Sequence, residues 1–307
     1  MESKKKSLWQ RVAAEKTSYL MLLPNVVLFC TFTIYPLLWV MRWMLYDYKG
    51  YGEPKFIGFD NFARVFRDEV FIQSISNTFV YVFGKLILII PIAFMCAFLL
   101  HKSGRANATA QSIIFAPTIM SQAVMALIFY LLFNTYNGDV NRYLTALGMI
   151  KTNINWLGVD HAMTTVLILA VWGGVGNYMV YFIAGLTGIS TEVYESADLD
   201  GANGLQKLVF ITIPLLAPVL KMILMLALVI AFMDMQSIMV LTEGGPMNRT
   251  MVMFLYIYQL FFPISAGSSV IQEFGYGAAC SLVSAVIIGF FTAIYLVLGK
   301  KLDQVTE

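Results

Sequence analysis

The sequence predicts an all-α membrane protein, a bundle of six transmembrane helices with both termini on the cytoplasmic side. Three observations predict it. Hydrophobic residues make up 59% of the 307-residue chain and charged residues only 12%, about half of the roughly 25% that soluble domains carry, and the mean hydropathy is +0.74. Apolar runs of about 20 residues or more, each able to cross a hydrocarbon core of about 30 Å, recur along the chain at Tyr19–Tyr46, Phe79–Leu100, Ile113–Phe133, Met163–Leu186, Val219–Leu241 and Tyr276–Gly299. Lys and Arg residues collect at alternate ends of these runs, and backbone groups in lipid must bond within their own segment, which leaves helices as the spanning elements.

Taken in order, the chain opens on a cytoplasmic segment, 1–18, carrying Lys4, Lys5, Lys6, Arg11 and Lys16. The first run is too long for a signal peptide and lacks a small-residue cleavage site, so it stays in the membrane. Pro24, Pro36 and Pro91 are expected to kink their helices. The second run contains Lys85, whose long stem reads as snorkelling to the outer interface. Lys102 and Arg105 fill the short turn that follows, and Lys300 and Lys301 open a cytoplasmic tail, 300–307, after the sixth run. These cations orient the bundle by the positive-inside bias. The outer segments, 47–78, 134–162 and 242–275, mix both signs of charge.

Several function classes are excluded or left without support. A formal net charge of +2 is too small to argue for nucleic acid. Cys30, Cys96 and Cys280 lie inside apolar runs without CxxC spacing, and His101 and His161 stand alone at run ends, so neither a disulfide framework nor a metal site is expected. No GxxxxGK[ST] stretch occurs, so the chain holds no P-loop for ATP. No Ser/Lys, paired-Asp or metal constellation recommends an intramembrane enzyme, and no catalytic residue is assigned. An ion-coupled secondary transporter would show inverted repeats and paired membrane carboxylates, and neither is visible.

The loop at about 188–218 is unusual for an inside loop, because it holds Glu192, Glu195, Asp198 and Asp200 against Lys207, with Lys221 close by. Thr191 to Asp200 reads as a short helix with Ser190 or Thr191 as N-cap and acids near its N-terminus. Gly201 suits a stop at positive φ. From Asn203 a second amphipathic segment presents Leu205, Leu208, Val209 and Thr212, until Pro214 and Pro218 are expected to interrupt it. On these features the loop is either a solvated elbow or a docking element; small Ser196 and Ala197 and apolar Leu199, Leu205 and Leu208 argue for docking.

Glu195-Ser196-Ala197, three residues, Gly201, nine residues, then Ile211-Thr212-Ile213-Pro214 resembles the EAA signature of permease subunits of binding-protein-dependent ABC importers. Ser196 stands where that family usually has Ala, and Ile213 where it usually has Leu. The stretches around the first, second and fifth runs, above all "LTEGGP" followed by "YIYQLFF", are similar to the carbohydrate branch, the first permease of maltose and glycerol-phosphate systems. The resemblance implies the type I importer permease architecture and a multi-pass place in a bacterial or archaeal inner membrane. It further implies a second permease subunit, two ATPase subunits that bind the ATP and Mg, an extracytoplasmic solute-binding protein and a carbohydrate substrate. Glu195, Ser196, Ala197, Gly201, Ile211 and Pro214 then form the loop that docks onto the ATPase.

For the substrate pathway, polar groups inside the spans are the candidates, because they tend to face a bundle interior. The fourth run offers Trp172, Asn177 and Tyr178 beside Gly173, Gly174 and Gly176, glycines that serve close helix packing at least as readily as function. The fifth run offers Asp234 and Gln236. Asp234 reads as facing the pathway, with a structural pair to an Arg or Lys as the other possibility.

Overall fold

The computed structural model describes residues 15–262 and 271–306, with side chains described as far as 299. Among the described residues, five helices are long and apolar enough to cross a membrane, and a bent helix pair makes a sixth span.

None of the most apolar stretch of the first span, α1 (Lys16–Leu45), is buried, while Met44 near its end packs against the buried core. A π-turn at Cys30–Ile34 precedes Pro36, where the missing N–H leaves a carbonyl one turn back without its helical donor. The end of α1 leads into a two-stranded antiparallel pair, β1 (Tyr46–Asp47) and β2 (Lys55–Phe56), and then α2 (Asp60–Val65).

The second span, α3 (Glu69–Leu100), begins ten residues before its apolar run. The reason is local: the Asp68 carboxylate caps the helix by accepting from the Val70 and Phe71 N–H groups, and Ser74 and Thr78 bond back to the preceding turn, so polar residues extend the helix beyond the membrane. The same carboxylate accepts from Tyr256 at 2.6 Å and Tyr276 at 2.7 Å. Burial alone would raise the Asp68 pKa, but these donors outweigh it and hold the carboxyl below its ordinary value. Arg64 pairs beside it with Glu273.

The third span differs from the expected continuous helix. It is two helices, α4 (Arg105–Ile119) and α5 (Gln122–Leu132), bent by 97°. α4 runs past Pro117 and stops at Met120, whose φ of −74° and ψ of 147° are extended, and the Ser121 hydroxyl caps α5 by accepting from the Val124 N–H at 3.3 Å. After α6 (Asp139–Ala146), pinned by the Asn141 side chain to Ile154 and Trp156, the fourth span α7 (Ala162–Thr187) runs unbroken through Gly173, Gly174 and Gly176. Gly176 is needed there, since a Cβ would lie 2.6 Å from the Ile114 carbonyl oxygen and 2.7 Å from the Phe115 Cα. Its absence lets α4 and α7 approach backbone to backbone.

A short helix, α8 (Thr191–Leu199), follows, and then the fifth span, α9 (Gly204–Met233). Pro214 and Pro218 do not interrupt α9 as the sequence suggests. A π-turn at Leu208–Thr212 comes just before Pro214 and absorbs the missing hydrogen bond, so the helix continues. It stops instead at Asp234, whose φ of −73° and ψ of 119° are extended, and α10 (Gln236–Leu241) resumes beyond it. The fifth run is therefore also a broken span. Next come α11 (Met253–Phe261) and the sixth span α12 (Phe274–Thr306). The outer segment residues 263–270, the segment 1–14 and the tail side chains lie outside the described residues.

The buried core is in two parts. One gathers Tyr81, Val82, Met125, Phe129, Leu169 and Phe232, and the other Ile89, Ala93, Met179, Phe182 and Ile223. Lys85 and Asp234 sit at the seam between them.

Candidate functional site

At that seam the two broken spans face each other. A cavity of about 170 Å³ is lined by Thr118, Met120 and Gln122 at the α4–α5 break, by Asp234 and Ser237 at the α9–α10 break, by Gly173, Gly174, Asn177 and Tyr178 on α7 and by Lys85 on α3. Breaks in helices at membrane depth are tolerated where they line a cavity or are buried in protein.

Its electrostatics rest on one pair. The Lys85 ammonium lies 2.8 Å from Asp234 Oδ2, with side chains only 9% and 3% exposed. The Tyr81 hydroxyl donates to the same oxygen, and Lys85 also reaches that hydroxyl at 3.3 Å. Asp234 Oδ1 is buried and has no hydrogen-bond partner among the described residues. Lys85 therefore does not snorkel to an interface: removing two charges from water is tolerable only when they meet, and Asp234 offers the partner. The two alternatives for Asp234 are both realised, since it is paired with a lysine and lines the cavity.

Of the other pathway candidates, Asn177 and Tyr178 reach this cavity, and the Asn177 amide makes no hydrogen bond among the described residues. Trp172 and Gln236 do not line it: Trp172 packs with its ring 5.4 Å from Phe129, and Gln236 is exposed. Lys85 stands out in the sequence as a lysine inside an apolar run, but as an interface residue and not as part of the site, while Tyr81, Thr118, Gln122 and Ser237 carry no signal that marks them.

The acidic loop forms a second, separate feature. The Ser190 hydroxyl caps α8 by accepting from the Glu192 N–H at 3.3 Å. Gly201 has φ +76° and closes the helix: its N–H donates to the Asp198 carbonyl and the Ala202 N–H to the Ala197 carbonyl, the two bonds of a Schellman stop. Asn203 and Gln206 then open α9 with a reciprocal capping box. Lys207 pairs with Asp198, and the Tyr194 hydroxyl meets Thr212 Oγ1 at 3.0 Å, fastening α8 to the start of α9. Glu195 and Ser196 are exposed and Ile211 is half-buried, whereas Ala197 is buried against this chain and not on the outer surface. Leu199 and Leu205 are 91% and 70% exposed.

Together, a multi-pass helical bundle, a cavity between broken spans and a rigid amphipathic loop define a membrane transport component of type I importer architecture. The chain belongs to the family described as "Binding-protein-dependent transport system inner membrane component", which matches residues 89–304. It is 32% identical over 292 residues to the arabinooligosaccharides transport system permease protein AraP of Bacillus subtilis (strain 168), covering 92% of this chain and 89% of that one. It is 29% identical to the lactose transport system permease protein LacF of Rhizobium radiobacter, covering 88% and 89%. Among solved structures, a bacterial alginate ABC transporter in complex with an alginate pentasaccharide-bound periplasmic protein contains a chain of the same fold, with a TM-score of 0.82 at 22% identity, covering 97% of this chain and 98% of that one.

Proposed function

We propose that this chain is the membrane-spanning subunit of an ATP-driven carbohydrate importer in a bacterial or archaeal inner membrane. Its transmembrane domain, 19–299, forms half of the translocation pathway, and the segments 1–18, 188–218 and 300–307 face the cytoplasm. A second permease supplies the other half, an extracytoplasmic solute-binding protein delivers the sugar, and two ATPase subunits bind the ATP and Mg and dock on the 188–218 loop. The relatives' names support a sugar or oligosaccharide as substrate, and an ion-coupled transporter or an intramembrane enzyme is not favoured.

The observation that carries this reading is the continuity of α9. It runs from the docking loop at Gly204 to Met233, one residue before the carboxylate in the cavity, about 45 Å at 1.5 Å per residue. The Asp198–Lys207 and Tyr194–Thr212 contacts tie α8 to its foot. A displacement of α8 by a moving ATPase is thus passed along one rod to the cavity wall, where the α9–α10 break can change the exposure of Asp234 and Asn177. Glu195, Ser196 and Leu199 present the docked face. Gly201 sets the turn behind it, buried Ala197 lets α8 sit close on its own bundle, Ile211 lies in the π-turn near the foot of the rod and Pro214 just beyond it.

Gly201 gives the test. Open space surrounds the position, so a Cβ there would clash with nothing. The cost of a side chain is conformational, about 1–2 kcal/mol for a β-branched residue held left-handed and much less for Asn. Gly201→Val and Glu195→Lys complexes should insert normally but lose the ATPase on purification, or hydrolyse ATP without stimulation by solute and binding protein, while Gly201→Asn keeps both. Normal co-purification and stimulated hydrolysis in Gly201→Val and Glu195→Lys together would reduce the loop to a solvated elbow.

A further inference from the structure

We infer that the cavity is charge-neutral by construction and selects an uncharged, hydroxyl-bearing sugar ring against a carboxylated one, with the Lys85–Asp234 pair setting that preference. The inference rests on the carbohydrate reading and deepens it.

Inside a low-dielectric wall, the charges already present decide which further charge can enter. Two ionisable groups of opposite sign line the cavity, Lys85 and Asp234. The lysine is committed, at 2.8 Å from Asp234 Oδ2 and 3.3 Å from the Tyr81 hydroxyl. Among the described residues no second Arg or Lys lines the cavity, so this chain's wall leaves no cation to receive a carboxylate. An incoming sugar acid would have to pull Lys85 from Asp234 and strand that carboxylate in a buried place, the costly outcome for a buried pair. A neutral ring meets no such opposition. Asp234 Oδ1 has unused acceptor capacity, and a hydroxyl that reaches it makes a charge-assisted hydrogen bond. The Asn177 amide, without a partner among the described residues, offers both a donor and an acceptor. A cationic amino sugar would also find Oδ1, but only beside the ammonium of Lys85. At about 170 Å³ the cavity is smaller than the roughly 300–1,000 Å³ of ordinary small-ligand sites, so it grips one ring at a time, as a wall of a pathway completed by the second permease would.

The test uses the purified complete complex in nanodiscs, with saturation-transfer NMR reporting the affinity of a neutral arabinotriose and of a size-matched oligogalacturonate. Wild type should prefer the neutral trisaccharide. Gln122→Lys, which adds a cation to the wall and leaves the Lys85–Asp234 pair intact, should shift the affinity ratio toward the galacturonate by about tenfold, a 1.4 kcal/mol change. Gln122→Glu should shift it the other way. Asp234→Asn, which frees Lys85, should repeat the Gln122→Lys shift if the complex remains monodisperse, and the Gln122 pair decides the matter if it does not. Equal affinities in wild type, a preference for the galacturonate, no saturation transfer to either sugar, or a ratio indifferent to the charge at residue 122 would each overturn the inference. The carbohydrate reading fails separately, if cells carrying the complete system take up neither class of sugar.

Discussion

Two ion pairs in this chain behave as opposites. Lys85 and Asp234 are 149 residues apart in sequence and almost fully enclosed, while Lys207 and Asp198 are nine apart and the Asp198 side chain is 63% exposed. The first stands at the meeting of two helix breaks in the membrane, and the second fastens a surface helix to its neighbour. Their environments teach more than their chemistry. In water a Lys–carboxylate contact barely outweighs the entropy of holding it, whereas in the bundle interior neither charge is tolerable without the other.

The largest effect to expect is therefore from dividing the buried pair. Lys85→Met should cost about 3–5 kcal/mol by leaving Asp234 uncompensated, seen as a sharp fall in the thermal unfolding midpoint of detergent-purified protein. Lys85→Met combined with Asp234→Leu should recover most of that loss, since a matched apolar pair is often neutral in such a place. If the single and double variants were equally destabilised, the two side chains would not be coupled and the contrast with the surface pair would collapse.

The same contrast explains what was legible in the sequence. The loop was readable because its signals are local: Ser190 as cap, Gly201 as a left-handed stop, and acids at the start of α8 are decided within one or two helical turns. Asn177, Tyr178 and Asp234 were found because polar groups in apolar runs are few. Their convergence with Lys85 was not, since the pairing depends on how α3 and α9 pack. The broken spans were missed for another reason: hydropathy averages over Met120, Ser121 and Asp234 and does not see them as stops. At Pro214 the error was opposite, because a π-turn can absorb a proline that a simple rule reads as a break.

Helix proximity supplies the next effect. Gly176→Ala would set a Cβ against backbone atoms of Ile114 and Phe115, which cannot rotate away, and should cost about 1–3 kcal/mol by overpacking. Gly289→Ala on α12 meets nothing within 4 Å and should be neutral or gain up to about 1 kcal/mol from helix propensity. Equal midpoints for the two variants would show that α4 and α7 are free to separate.

Within the cavity, Asn177→Ala removes hydrogen-bonding groups that the protein itself leaves unused, so folding should be unaffected while transport suffers. Loss of one neutral hydrogen bond, about 0.5–1.5 kcal/mol, corresponds to a roughly 2- to 12-fold rise in the half-saturating sugar concentration for uptake. An unchanged concentration dependence at normal expression would remove Asn177 from the pathway.

The smallest effect completes the comparison at the surface pair. Asp198→Ala deletes the partner of Lys207, whose side chain is 21% exposed and whose long flexible stem lets the ammonium turn toward water, so the expected loss is at most about 1 kcal/mol. The fold of the loop should survive, because the Schellman stop at Gly201, the Asn203–Gln206 capping box and the Tyr194–Thr212 contact do not involve the Asp198 side chain. Any measurable change should appear in coupling, since the pair contributes one of the two side-chain fastenings between α8 and the foot of α9. Salt separates the two roles. An exposed pair is screened above about 0.1 M ionic strength, so the difference between wild type and Asp198→Ala in solute-stimulated ATP hydrolysis should shrink as salt is raised, with no corresponding change in the Lys85→Met defect. A salt-independent loss in Asp198→Ala as large as that in Lys85→Met would mean that the loop pair is enclosed in the assembled transporter, and that the ATPase, once docked, makes its surroundings resemble the membrane interior.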